Sequence, residues 1–118
     1  MMTYQTHIEI KKAKDPNTPP EVLNELAHHK DYMIRYGVAN NPSSPVSALE
    51  KLVNDEIGSY DPILYLIVRN PNTPEFLLEK LIAPYKTVLN TYIEANPNTT
   101  QRLKNYINAI NYVTSIRL

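Results

Sequence analysis

Apolar residues fall in a fixed frame along this chain, eight and four positions ahead of a proline and six, seven and ten positions beyond it. Ahead of Pro16, Pro42, Pro71 and Pro97 stand Ile8 and Lys12, Ile34 and Val38, Ile63 and Ile67, and Leu89 and Ile93. Apolar residues four apart mark one face of a helix running into the proline, and only Lys12 breaks the pairing. Beyond the prolines come Val22, Leu23 and Leu26; Ala48, Leu49 and Leu52; Leu77, Leu78 and Leu81; and Leu103 and Ile107 with Lys104 between them. This stripe predicts a second amphipathic helix, whose other face carries Asn24 and Glu25, Glu50 and Lys51, or Glu79 and Lys80. The prolines lie 26, 29 and 26 residues apart, a period that belongs to stacked helical hairpins.

Between the two predicted helices of each unit lies one recurring phrase: Asp15 to Pro19, Asn41 to Pro45, Asn70 to Pro74 and Asn96 to Thr100. Its first proline disfavours helical backbone in the preceding Asp or Asn, and so ends the incoming helix. Asn and Asp tolerate the turn conformations that such an exit needs. Thr18, Ser44, Thr73 and Thr99 are expected to accept the orphan amides of the next helix, with Pro19, Pro45 or Pro74 at its first position. Thr18 and Glu21 also have capping-box spacing.

These elements predict an all-α, right-handed α-solenoid of about three and a half helix-turn-helix repeats, forming one domain over 1–118. Residues 3–14 supply half a unit, expected to fray or to form a short helix, because Lys11, Lys12 and Lys14 stand where inner copies are mostly apolar. A capping helix is expected over about 99–117, with Leu103, Tyr106, Ile107, Ile110 and Val113 on one side. The three extra residues of the second copy fall near 55–62, between units, where a solenoid accepts an insertion.

Composition narrows the function classes. The 118 residues suffice to bury roughly two thirds of the surface of the unfolded chain. With no cysteine there is no disulfide and no thiolate metal or iron–sulfur site. Twelve basic and twelve acidic residues leave no net field to gather nucleic acid or an anionic membrane. There is no leader-like or membrane-spanning apolar run, so a soluble cytoplasmic protein is expected. Gly37 and Gly58 are too few for a phosphate loop, no nucleophile–base set is legible, and a short stack encloses little volume, so no enzyme is expected.

The Asn-Pro-Asn-Thr-Pro phrase, the Leu-rich helix after it and the apolar segment returning to the next Asn-Pro resemble the leucine-rich repeat variant, an α-helical unit grouped with HEAT-like repeats. The resemblance covers about residues 8–108 and is strongest from Asn70 to Leu81; in the last copy Thr100 replaces the second proline and Lys104 a leucine. It implies a helical solenoid that binds macromolecules. Some members carry a cysteine-ligated iron–sulfur cluster, which this chain lacks the residues to hold.

Candidate chemistry is sparse. His28 and His29 with Glu21 and Glu25 are helix-spaced metal ligands on paper, but adjacent histidines diverge by about 100° on a helix, and no metal or other cofactor is expected. The segment Pro62 to Val68 is apolar nearly all round. It reads first as the core of the central repeat, and second as an exposed partner-binding patch at Leu64, Tyr65 and Val68. The tyrosines Tyr32, Tyr36, Tyr65, Tyr85, Tyr92, Tyr106 and Tyr112 are expected mostly in the core, with Tyr36 and Tyr65, each six residues ahead of its proline, as surface candidates. Lys11, Lys12, Lys14, Lys30 and Arg35 are interspersed with Asp15, Glu21, Glu25 and Asp31, which reads as a mixed solvated face and not as a nucleic-acid site. The expected role is a non-catalytic protein-interaction module. Nucleic-acid backbone binding and an accessory or regulatory subunit of an enzyme are the alternatives, and a second copy of the chain is a further candidate partner.

Overall fold

The computed structural model describes residues 3–57, 61–82 and 87–116, with side chains through Val113 in the last helix. Among them are eight helices and no strand: α1 (Tyr4–Lys14), α2 (Pro20–Leu26), α3 (Tyr32–Asn40), α4 (Val46–Glu56), α5 (Pro62–Arg69), α6 (Glu75–Lys80), α7 (Thr87–Ala95) and α8 (Gln101–Ile116). Helices α1, α3, α5 and α7 pack successively on one another, and α4 seats against α3 and α5. The molecule is elongated, 53 × 27 × 17 Å. The core between the layers is aliphatic, with Ile34, Ile63, Ile67 and Ile93 facing Leu49, Leu52, Leu77, Leu78 and Leu103, all 0% exposed.

The apolar frame thus delivers the helices, and α1 forms over eleven residues despite its lysines, started by Thr3, whose Oγ1 accepts the Thr6 amide. Part of the insertion lengthens α4, which runs to Glu56; residues 58–60 lie outside the described residues. Among the described side chains of α8 only Leu103 and Ile107 are buried. Tyr106 and Val113 are half exposed, so the buried contacts of the described part of this helix come from its first turns.

The turn works differently from the expectation of a side-chain N-cap. The residue before each even-numbered helix α2, α4 and α6 is the second proline, with no side-chain cap bond. The hydroxyl ahead of it points back instead. Thr18 Oγ1 donates to the Lys12 carbonyl at 2.6 Å, Ser44 Oγ to Val38 at 2.7 Å and Thr73 Oγ1 to Ile67 at 2.6 Å, and Thr99 repeats the bond to Ile93. Those acceptors are carbonyls in the last turn of the incoming helix, each of which also accepts the amide three residues on, so the hydroxyl reinforces an exit and does not open an entry. The Thr18–Glu21 capping box is not formed. Only Thr100, replacing the proline, caps in the expected sense, accepting the Leu103 amide at 3.3 Å. Thr73→Val keeps the shape and removes the donor; the Ile67 carbonyl keeps the Asn70 amide at 3.1 Å and loses one of its two bonds, so thermal unfolding is expected to show a loss of about 1 kcal/mol.

The asparagine of the phrase joins the repeats. Asn41 Nδ2 donates to the carbonyls of Ala13 and Asp15, Asn70 Nδ2 to Ala39 and Asn41, and Asn96 Nδ2 to Val68 and Asn70, at 2.8–3.1 Å. Each Oδ1 accepts the amide two residues on, at 2.9 Å, in an Asx-turn. All three asparagines are buried, at 2%, 3% and 5% exposure. The first copy carries Asp15, exposed, which makes the same turn by accepting the Asn17 amide and donates nothing. Since a carboxylate suffices there, Asp15→Asn is expected to shift stability by less than about 0.5 kcal/mol in chemical denaturation.

Candidate docking face

Helical register sorts the odd-numbered helices into three sides. Positions eight and four ahead of the turn proline enter the core. The position three ahead faces the next repeat, as Ala13 shows: a Cβ built on Gly37 of α3 would lie 2.9 Å from the Ala13 Cβ. Positions nine, six and two ahead share the remaining side and point away from the even-numbered helices. This outward stripe carries Met33, Tyr36, Tyr65 and Val88, with the cations Lys14 and Arg69 at equivalent places on α1 and α5. Met33, Val88, Lys14 and Arg69 are exposed, and Tyr36 and Tyr65 are half-buried. No described carboxylate occupies a stripe position.

Two sequence candidates are corrected by this register. Leu64 is 2% exposed and Val68 0%, because they stand seven and three positions ahead of Pro71, on the side that faces the next repeat. The all-round apolar helix α5 is core on those sides, and its exposed patch reduces to Tyr65. The tyrosines depart from expectation in the other direction. Of those described, none is fully buried: Tyr32, Tyr36 and Tyr65 pack against the core from its margin, while Tyr92, Tyr106 and Tyr112 are exposed. Tyr85 lies outside the described residues.

The rings form pairs along the stack. Tyr36 tilts against Tyr32 with centroids 6.1 Å apart, and Tyr65 meets Tyr92 edge-to-face at 6.2 Å. The Arg69 guanidinium lies 5.3 Å from the centroid of Tyr92, in cation–π range. Arg35 is committed inward, donating to the carbonyls of His29 and Lys30, both at 2.8 Å, which ties the exit of α2. Asp61 bridges repeats, accepting the Ile63 amide at the start of α5 and the Tyr32 hydroxyl at 3.0 Å. Burial first, and then that bond, push the Tyr32 pKa up to about 12 from 10.0. The neutral phenol is the form favoured by folding, so its contribution is complete below pH 10 and is lost as pH rises through about 12.

The histidines do not gather a metal site, and among the described residues no three His, Asp or Glu side chains converge. His29 Nδ1 accepts the Asp31 amide at 3.0 Å, which leaves its Nε2 to donate to Glu9 Oε2 at 3.1 Å; His28 is exposed. Glu9 is on α1, so this pair fastens the first helix to the turn after α2.

Charge is divided between the layers, which reading along the chain conceals. Helices α1, α3, α5 and α7 hold Lys11, Lys12, Lys14, Arg35 and Arg69 against Glu9 and Glu94. Helices α2, α4 and α6 hold seven carboxylates against Lys51 and Lys80. Thus Lys14 and Glu21, close in sequence, belong to opposite faces. Arg102 of α8 joins the acidic side, donating to Glu75 at 2.7 Å and to Glu79 at 3.2 Å. No described helix is long and apolar enough to cross a membrane. Comparison with known protein families, curated proteins and solved structures gives no match to this chain.

Proposed function

We propose that the chain is a non-catalytic interaction module, a right-handed solenoid of the leucine-rich-repeat-variant or HEAT-like kind, that docks a cytoplasmic protein partner on its outward stripe. The observation that carries this reading is the placement of Tyr36 and Tyr65. They hold one register on successive stacked helices, each with one side anchored on the core and the other in solvent. A tyrosine so held presents a large apolar body with little rotamer entropy left to lose, which is what interface anchors require. The asparagine ladder adds rigidity beneath them, so that the cost of ordering on this side of a complex is small.

Substituting both tyrosines by alanine is expected to reduce partner recovery in affinity capture from the native host at least several-fold. The same variant should melt within about 8 °C of the parent, since half-buried side chains cost less than core ones. Equal recovery by the parent and the double variant would remove the role of this face. A much larger drop in melting temperature would assign the two rings to packing.

A further inference from the structure

We propose that the occupant of the outward stripe is an acidic segment, extended across the helices, with carboxylates toward its ends and apolar side chains at its centre. This deepens the docking reading above and rests on it. Lys14 and Arg69 occupy the same register two helices apart, and Tyr36 and Tyr65 lie on the helices between and beside them. Packed helices are spaced by 8–10 Å, so the two cations are separated by roughly 20 Å. An extended chain covers that span in about six residues. Carboxylates about six residues apart would meet Lys14 and Arg69 while the side chains between them lie on the tyrosines.

The sign of the partner follows from three observations. The stripe carries no described carboxylate, and the described helices of the opposite layer, α2, α4 and α6, hold seven carboxylates against the two, Glu9 and Glu94, within the odd-numbered helices. Arg69 lies over the Tyr92 ring, and among the described residues no acidic side chain pairs with it, which leaves its charge directed to solvent or to a ligand. A basic segment would meet two like charges and gain nothing from the far layer, since a field across the thickness of the protein is screened at ordinary salt. A nucleic acid would also be anionic, but Lys11, Lys14 and Arg69 are few for counterion release. The tyrosine rings, moreover, are already paired with one another in place of standing open to stack on bases.

The test uses the full chain and three fluorescein-labelled nine-residue peptides, identical in their central alternating leucines and differing only at the ends, which carry glutamate, glutamine or lysine. A labelled thymidine oligonucleotide of matched charge is the fourth probe. Anisotropy at low salt is expected to rank glutamate over glutamine over lysine, with about tenfold between the extremes and most of the difference gone at high salt. Arg69→Glu should abolish the ranking, whereas Tyr65→Ala should weaken the glutamate and glutamine peptides alike. Equal binding of the glutamine or lysine peptide, with loss in Tyr65→Ala, would overturn the acidic preference and leave the docking face standing. Tighter binding of the oligonucleotide, binding indifferent to both substitutions, or no binding of the glutamate peptide at millimolar concentration would also overturn it; the capture experiment judges the docking face separately.

Discussion

Asn70→Asp is expected to cost about 4 kcal/mol, although it exchanges one amide for a carboxylate of the same shape. The Asn70 amide nitrogen donates to the carbonyls of Ala39 and Asn41, both at 2.9 Å, in a site 3% exposed. A carboxylate has no hydrogen to offer. The substitution takes from the Ala39 carbonyl its donor, at about 1–3 kcal/mol, takes from the Asn41 carbonyl one of two bonds while the Ser44 amide stays at 3.1 Å, and sets a buried negative charge against both oxygens, which is the larger cost. The Asx bond to the Asn72 amide survives, so the loss belongs to the contact between repeats and not to the turn. At about 4 °C per kcal/mol, the melting temperature should fall by about 15 °C. The penalty relative to the parent should shrink toward acid pH as the introduced carboxyl gains a proton and regains a donor. Circular dichroism melts at several pH values measure both effects. A loss no larger than that of Asp15→Asn would mean that the ladder is decoration on a stack held by apolar packing alone.

That pair of substitutions also shows what the sequence discloses and what it hides. The helices and turns were legible because their causes are local: apolar spacing sets the helices, and proline sets their ends. The partner of the Thr73 hydroxyl is not legible, for an equally local reason. A Ser or Thr between two helices has the composition of an N-cap whether it accepts an amide ahead or donates to a carbonyl behind, and only the backbone path decides. The ladder joins residues 26–31 apart, out of reach of any window, yet it left a trace in the asparagine that three copies share and the first replaces by Asp15. Leu64 and Val68 read as core or as patch from the sequence, because the apolar pattern of α5 shows what each side avoids and not which neighbour covers it. The charge division was hidden because each hairpin sends residues close in sequence to opposite layers, as with Lys14 and Glu21.

Gly37→Val should be the second most damaging of these changes, at about 2–3 kcal/mol, because α1 lies on α3 with no room for a side chain. The first added carbon would stand 2.9 Å from the Ala13 Cβ and 3.5 Å from the Ala13 carbonyl carbon and the Lys14 Cγ. Two of those three atoms are fixed to the α1 backbone, so the helix itself must retreat. Valine is a somewhat better helix former than glycine, by a few tenths of a kcal/mol, which does not offset overpacking of 1–3 kcal/mol. Urea denaturation measures the loss, and Ala13→Gly in the same chain identifies its cause. Alone, Ala13→Gly should cost about 1 kcal/mol for glycine within a helix. Combined with Gly37→Val it should cost less than the sum by at least about 1 kcal/mol, because the atom struck by the new side chain is gone. Additive losses would place the damage elsewhere. The consequence reaches the docking face, since Lys14 belongs to the helix that retreats and Tyr36 and Arg69 to helices that stay. Gly37→Val should therefore weaken the glutamate peptide toward the level of the glutamine one, while Tyr65 continues to anchor both.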